Sequence, residues 1–213
     1  MTRFLWPARG DARRGSRAKK LLATLALLSA AASIAALGTY ATFTSTASQS
    51  QTISSGTVTI ALGATGAATN RLNIGASALA AGDTVQRSVD LSNSGTLDLA
   101  SVTLTTTASP SSLLDTDTTN GLQMVIDKCS VAWTEAGPPY TYTCGGTTST
   151  VLASRPVIGS GLALSNLAST TAGATDHLRV TLTLPSAAGN TLQNQSSTIS
   201  YAFTGTQRAA TNK

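Results

Sequence analysis

Four short segments of the chain alternate apolar and polar residues with period two. In Thr57 to Leu62, Val58, Ile60 and Leu62 share one face, with Thr57, Thr59 and Ala61 on the other. In Val85 to Ser92, Val85, Val89 and Leu91 oppose Gln86, Ser88, Asp90 and Ser92. In the third, Leu178, Val180, Leu182 and Leu184 oppose His177, Arg179, Thr181 and Thr183, and in the fourth Ile199, Tyr201 and Phe203 oppose Ser200 and Ala202. Alternation of this kind, with Thr on the polar side, marks strands that bury one face. Leu97 and Leu99 have one parity while Val102 and Leu104 have the other, which predicts a bulge or kink near Ala100.

The residues between these runs punctuate them. Ala81-Gly82-Asp83 predicts a turn into the strand at Val85, and Asn93-Ser94-Gly95 a turn out of it, with Gly95 free to take positive φ. Pro110-Ser111-Ser112 and Pro138-Pro139 mark loops. Evenly spaced Glu, Lys and Arg that would support long helices are missing, and only one short helical turn is expected, near Thr150 to Ser154. So many half-buried strands in one domain predict an all-β, two-sheet sandwich.

The N-terminus is of another kind. Seven of the chain's 14 Lys and Arg residues precede position 21, and an uncharged apolar run from Leu21 to Leu37 follows. A basic region, an apolar region and a small-residue exit at GTYATF form a secretory signal peptide. The competing reading is a membrane anchor, but 17 residues of mostly Ala, Ser and Leu are short for a spanning helix of ~20. Cleavage is expected around Tyr40, Ala41, Thr42 and Phe43. The organisation read from the sequence is a signal peptide at 1–42 (basic 1–20, apolar 21–37), a flexible segment at 43–55 and a β-sandwich domain at 56–213. Beyond the signal peptide, seven basic side chains face eight acidic ones, so the formal charge of +5 is a property of the leader. No basic stripe remains to hold a nucleic acid.

Cys129 and Cys144 are the only cysteines, and in an exported chain such a pair is expected to form a disulfide. The loop between them carries Trp133, Tyr140 and Tyr142. It reads either as a tethered recognition loop or as a stapled surface loop whose aromatics cover one end of the sandwich.

Catalytic motifs are sparse. His177 is the one histidine and Glu135 the one glutamate, so the HExxH pattern of zinc peptidases is absent. There is no GxSxG elbow for a serine nucleophile. Asp176-His177 reads as a solvated pair on the outward face of a strand. Asp115-x-Asp117-x-x-Asn120-Gly121 is loosely like a calcium loop, but its register is wrong and a polar turn fits better. No catalytic or metal-ligating residue and no cofactor is assigned.

Three segments carry a family resemblance. They are GTYATF at Gly38 to Phe43 with Ser55-Gly56-Thr57-Val58 after it, Ala81-Gly82-Asp83-Thr84-Val85 leading to Asn93-Ser94-Gly95-Thr96-Leu97, and Gly189-Asn190 to Gln195 with Ile199 to Gln207. Together they resemble the TasA/camelysin (CalY) family of secreted biofilm-matrix proteins, whose signal peptides are cut by a dedicated SipW-type signal peptidase. The resemblance implies a jelly-roll sandwich and a subunit that polymerises by lending its N-terminal segment as a strand to the next subunit. Some members of the family carry a metalloendopeptidase label.

Phe43 to Ser55 suits that role on its own terms. It is polar and proline-free, with Ile53 as its main apolar anchor and Phe43 at its start. Such a segment has little to fold with alone, and strand addition supplies it with main-chain partners. The expected function is therefore a secreted structural subunit of an extracellular fibre or biofilm matrix. Its partners are copies of itself, the SipW-type peptidase and other matrix or cell-wall components. The alternatives are a cell-surface metalloendopeptidase and a monomeric binding module that uses Trp133, Tyr140 and Tyr142.

Overall fold

The structure is a computed structural model that describes residues 55–211. The expected signal peptide, the expected cleavage region from Tyr40 to Phe43 and the donor-strand candidates Phe43 and Ile53 lie outside the described residues.

Among the described residues ten strands form the domain. They are β1 (Ile60–Leu62), β2 (Thr84–Asn93), β3 (Leu99–Ala108), β4 (Gln123–Cys129), β5 (Trp133–Ala136), β6 (Thr141–Cys144), β7 (Thr148–Pro156), β8 (Gly159–Ala163), β9 (Thr175–Thr183) and β10 (Ile199–Gln207). A one-turn helix, α1 (Leu113–Thr116), sits between β3 and β4. The larger sheet has the order β1-β2-β9-β4-β7 and the smaller β10-β3-β8, while β5 and β6 pair with each other. The chain is thus an all-β sandwich. Its order is jelly-roll-like, except that the β5–β6 hairpin has left the second sheet and lies on the outer surface of the first.

The alternating residues form the core between the sheets. Val89 and Leu91 of β2, Val102 and Leu104 of β3, Met124 and Ile126 of β4, and Leu178 and Val180 of β9 are all buried. Each such side chain contributes roughly 1.5–3 kcal/mol when removed from water. The expected parity change in β3 is a bulge. Thr206 stands opposite Ser101 and Gln207 opposite Leu99, so Ala100 is unpaired and Leu99 returns to the core side.

Three local expectations are corrected. The face of Val58, Ile60 and Leu62 is not buried as a unit, because β1 is a three-residue edge strand. Ile60 tucks against Gly205, while Val58 and Leu62 are exposed. Gly95 does not have positive φ. It is required because a Cβ there would lie 2.4 Å from the Thr57 carbonyl oxygen, and the Asn93 side chain closes the turn by accepting from the Gly95 amide. Thr150 to Ser154 is strand, within β7. Irregular pairing with β4 leaves Val151 and Leu152 adjacent and both buried, which breaks the period-two signal in the sequence.

Candidate functional site

Two places in the domain gather chemistry. One is the polar layer between the larger sheet and the β5–β6 hairpin. The other is an open groove between the two sheets.

Alternation aims Asp90, Asp127, His177 and Arg179 away from the core, and the hairpin lies over them. Cys129 and Cys144 are bonded, with Cα atoms 5.7 Å apart, which ties the end of β6 to the end of β4. Arg179 donates to Asp127 Oδ2 at 3.0 Å and stacks 4.4 Å from the Trp133 ring centroid. The Trp133 indole donates to the His177 carbonyl at 2.9 Å. Arg71 grips Glu135 with two donors, at 2.6 and 3.0 Å, and the Tyr142 hydroxyl donates to the same carboxylate at 2.8 Å. The Arg71 contact, against the cost of burial, holds Glu135 below the usual carboxylate range, with Tyr142 adding to it. Tyr140 lies under both Arg71 and Arg87, 4.9 and 5.4 Å from its ring centroid.

The three aromatics proposed as loop contacts are therefore turned onto the sheet. Tyr142 is buried, and Trp133 and Tyr140 are half-buried. They cover the sheet's outer face rather than an end of the sandwich, because Arg71, Arg87 and Arg179 offer them cationic seats there.

Asp176 and His177 do not form a solvated pair. They point to opposite sides of β9. Asp176 is 3% exposed, on the core side. Its carboxylate accepts from the Ala168 and Ser169 amides at 3.0 and 2.7 Å and from the Lys128 ammonium at 3.1 Å. Burial alone would raise this carboxyl, but the Ser169 and Ala168 amides, helped by Lys128, hold it below its ordinary value. The parity of β9 puts Asp176 on the buried face with Leu178 and His177 on the other.

His177 Nδ1 sits 2.8 Å from Asp90 Oδ1, on the neighbouring strand β2. Such a pair needs a nucleophile to do acyl-transfer chemistry. The residue opposite His177 on β4 is Cys129, and its sulfur is in the disulfide.

The Asp115–Asn120 segment folds as a polar turn. Asp115 is buried and completes the capping box of α1, taking the Ser112 amide and the Ser111 and Ser197 hydroxyls. Asp117 accepts from the Thr119 and Asn120 amides. Both carboxylates are spent on local donors.

The groove has about 520 Å³ and opens between loop 72–79 with β2 on one side and β10 on the other. Leu72, Leu79, Leu182, Leu192, Ile199 and Tyr201 line it. Burial raises the Tyr201 phenol to about 12, so it stays a neutral, mainly apolar wall at any physiological pH. Arg87 fixes one lip by donating to the Ile74 and Gly75 carbonyls at 2.7 Å each. Asp115 fixes the other through Ser197, at 2.5 Å. Beside the groove β10 is an edge strand. It pairs with β3 on one side, and among the described residues no strand pairs with the other. The groove was missed in the sequence because its walls come from segments more than 100 residues apart.

Residues 17–133 match the family model described as camelysin metallo-endopeptidase, more than half of the chain. The chain belongs to the camelysin family. No curated protein matches it by sequence. The family name implies a metal. Among the described residues no three His, Cys, Asp or Glu side chains converge. The single histidine is held by Asp90, the single glutamate by Arg71 and Tyr142, and both cysteines are bonded to each other. These residues do not fit a zinc site of the usual His and Glu kind. Among the described residues no helix is long and apolar enough to cross a membrane.

Proposed function

We propose that this camelysin-family chain is exported, trimmed near Ala41 or Thr42 by a SipW-type signal peptidase, and built into an extracellular fibre or matrix as a structural subunit. The observation that carries the reading is the apolar groove beside the unpaired edge of β10. A free edge strand next to exposed apolar walls is a template for another strand. A donor strand would add main-chain hydrogen bonds to β10 and place alternate side chains in the groove. Residues 43–55 are the donor, with Ile53 as anchor and Phe43 as a second apolar contact. Lending that strand to the next copy is head-to-tail and does not close, so it grows filaments rather than dimers.

Electron microscopy of the secreted protein, its N-terminus defined by sequencing, tests this. Wild-type protein should form fibres. Deleting residues 43–55 should leave a folded monomer with unchanged β-type circular dichroism and no fibres, and Ile53→Asp should weaken fibres without unfolding the subunit. Fibres of unchanged yield from the deletion would show that assembly uses another surface.

The peptidase reading has its own test. Purified protein is expected to leave casein intact, with or without added zinc. Chelator-sensitive cleavage that disappears in His177→Ala would promote the enzyme over the fibre subunit.

A further inference from the structure

Three side chains from adjacent strands stand in one row on the outer face of the larger sheet. Asp90 of β2 is the register partner of His177 on β9, and His177 is the register partner of Cys129 on β4. Their chain neighbours Leu91, Leu178 and Lys128 take the core side, where Lys128 meets Asp176. Directly opposed side chains on antiparallel strands have Cβ atoms about 4.5–5.5 Å apart. Asp90 holds the His177 ring by Nδ1, at 2.8 Å, which leaves Nε2 to carry or give up a proton. All three positions belong to the sheet, so the row stays together when the hairpin lifts.

The two sulfurs of the disulfide differ in access. Cys129 is 2% exposed. Cys144 is half-buried and is followed by exposed Gly145 and Gly146. An external thiolate therefore attacks Cys144, and Cys129 is the leaving group. A leaving thiol departs faster the lower its pKa. Apolar burial raises that pKa, whereas a neighbouring His⁺ lowers it from ~8.5 to roughly 3.5–7.5. Here the surroundings are polar. Besides Asp90 and His177, the charged groups under the hairpin are Asp127 with Arg179 bonded to it and Glu135 with Arg71 bonded to it. Each of those two carboxylates has its own arginine, so His177 is the cation left to face a Cys129 thiolate.

We propose that Cys129, His177 and Asp90 form a thiol–disulfide exchange site, with the Cys129–Cys144 bond as its reversible couple and small external thiols as its substrates. A small thiolate bonds to Cys144 Sγ, the Cys129–Cys144 bond breaks, and its electron pair leaves on Cys129 Sγ beside the His177 imidazolium. A second small thiolate attacks the small sulfur of the mixed disulfide and releases Cys144. Two small thiols have become one disulfide, the protein has gained two electrons, and the two protons rest on Cys144 and His177. With a small disulfide as oxidant the steps run backwards, and the Cys129 thiolate closes the bond. His177 touches the reacting sulfur, and Asp90 is a positioning residue. The site is independent of the fibre reading.

Two measurements on the secreted chain test this. With Cys144→Ser, Cys129 is the one thiol left. Its thiolate, followed by ultraviolet absorbance against a chain lacking both cysteines, should titrate at least about one pH unit below the ~8.5 of a free cysteine. Adding His177→Gln should return the midpoint to about 8.5 or above, and Asp90→Asn should move it part of the way, each with far-ultraviolet circular dichroism unchanged. In the second measurement, the disulfide-bonded chain is mixed with glutathione at neutral pH and quenched in acid. Mass spectrometry should find glutathione on Cys144. His177→Gln should slow reduction about threefold or more, which is what one unit in the leaving thiol gives at a Brønsted coefficient of ~0.4–0.5. A Cys129 midpoint at 8.5 or above, a midpoint that ignores His177, glutathione on Cys129, or no reaction of the folded chain would each overturn the proposal and leave the bond as an inert staple. Should a variant lose its fold, the Cys129 midpoint and the position of glutathione in the chain with His177 and Asp90 intact still decide.

Discussion

Replacing Asp176 by Ala is expected to destabilise the domain by about 3–5 kcal/mol, the cost of breaking a buried charge pair by removing one partner. The carboxylate is 3% exposed and serves three donors at once. Its loss strands two backbone amides and leaves the Lys128 ammonium without its partner. Lys128 keeps a fifth of its side chain in solvent, which puts the effect toward the lower end. The same contacts set a pH dependence. The folded-state value of Asp176 lies below the 3.8 of an ordinary Asp, so its contribution is fully present above that pH and is lost as pH falls through the folded value. Asp115 is also lowered and loses stability in the same window. The informative quantity is therefore the difference between wild type and Asp176→Ala, measured by urea unfolding at pH 7 and from pH 5 down to 2. That difference should be largest at pH 7 and shrink in acid. A loss under about 1 kcal/mol at pH 7 would mean that water replaces the carboxylate, and that the site is not closed.

Most of the sandwich was legible because period two is a local signal. The strands at Val85, Leu178 and Ile199 stand where alternation put them, and the parity change at Ala100 is the bulge it implied. The reading failed where a neighbour rather than the local pattern decides the outcome. Val58 and Leu62 alternate correctly but have no sheet over them. Val151 and Leu152 are both buried because β7 carries an extra residue against β4, with Thr150 and Leu152 opposite the consecutive Asp127 and Ile126, and no glycine or proline from Thr150 to Leu152 marks that bulge in the sequence. The disulfide followed from cysteine number and the expectation of export, whereas the inward turn of Trp133, Tyr140 and Tyr142 depends on Arg71, Arg87 and Arg179, which are brought in from β2, β9 and the segment before them. The groove was the least legible feature. Leu72, Leu192 and Tyr201 each look like ordinary core residues, and only the fold brings them together along one groove between β10 and loop 72–79.

Removing the disulfide should release the hairpin while the sandwich survives. Closing a 15-residue separation restricts the unfolded chain by about 3 kcal/mol on the chain-entropy account. Substituting both cysteines by Ser is expected to lower stability by that order. The loss has a location. Without the tether, the hairpin is held on the sheet by the Arg179–Trp133 stack, the Arg71–Glu135 pair and the buried Tyr142 ring. These contacts are few and lie outside the main core between the sheets, so the hairpin should open at lower denaturant than the core. Trp133 reports this directly in protein that begins after the proposed cleavage near Ala41 or Thr42, because the other tryptophan, Trp6, precedes that point. Its emission should shift to the red in a first transition, ahead of the loss of far-ultraviolet signal, and wild-type protein in reductant should behave alike. The opening also reaches the groove. Tyr140 leaves Arg87, whose guanidinium holds the Ile74 and Gly75 carbonyls, so amides of loop 72–79 should exchange faster in the variant while those of β3 and β9 stay protected. A single transition seen by both probes, with loop 72–79 unchanged, would show that hairpin and sandwich are one cooperative unit and that the disulfide stabilises both alike.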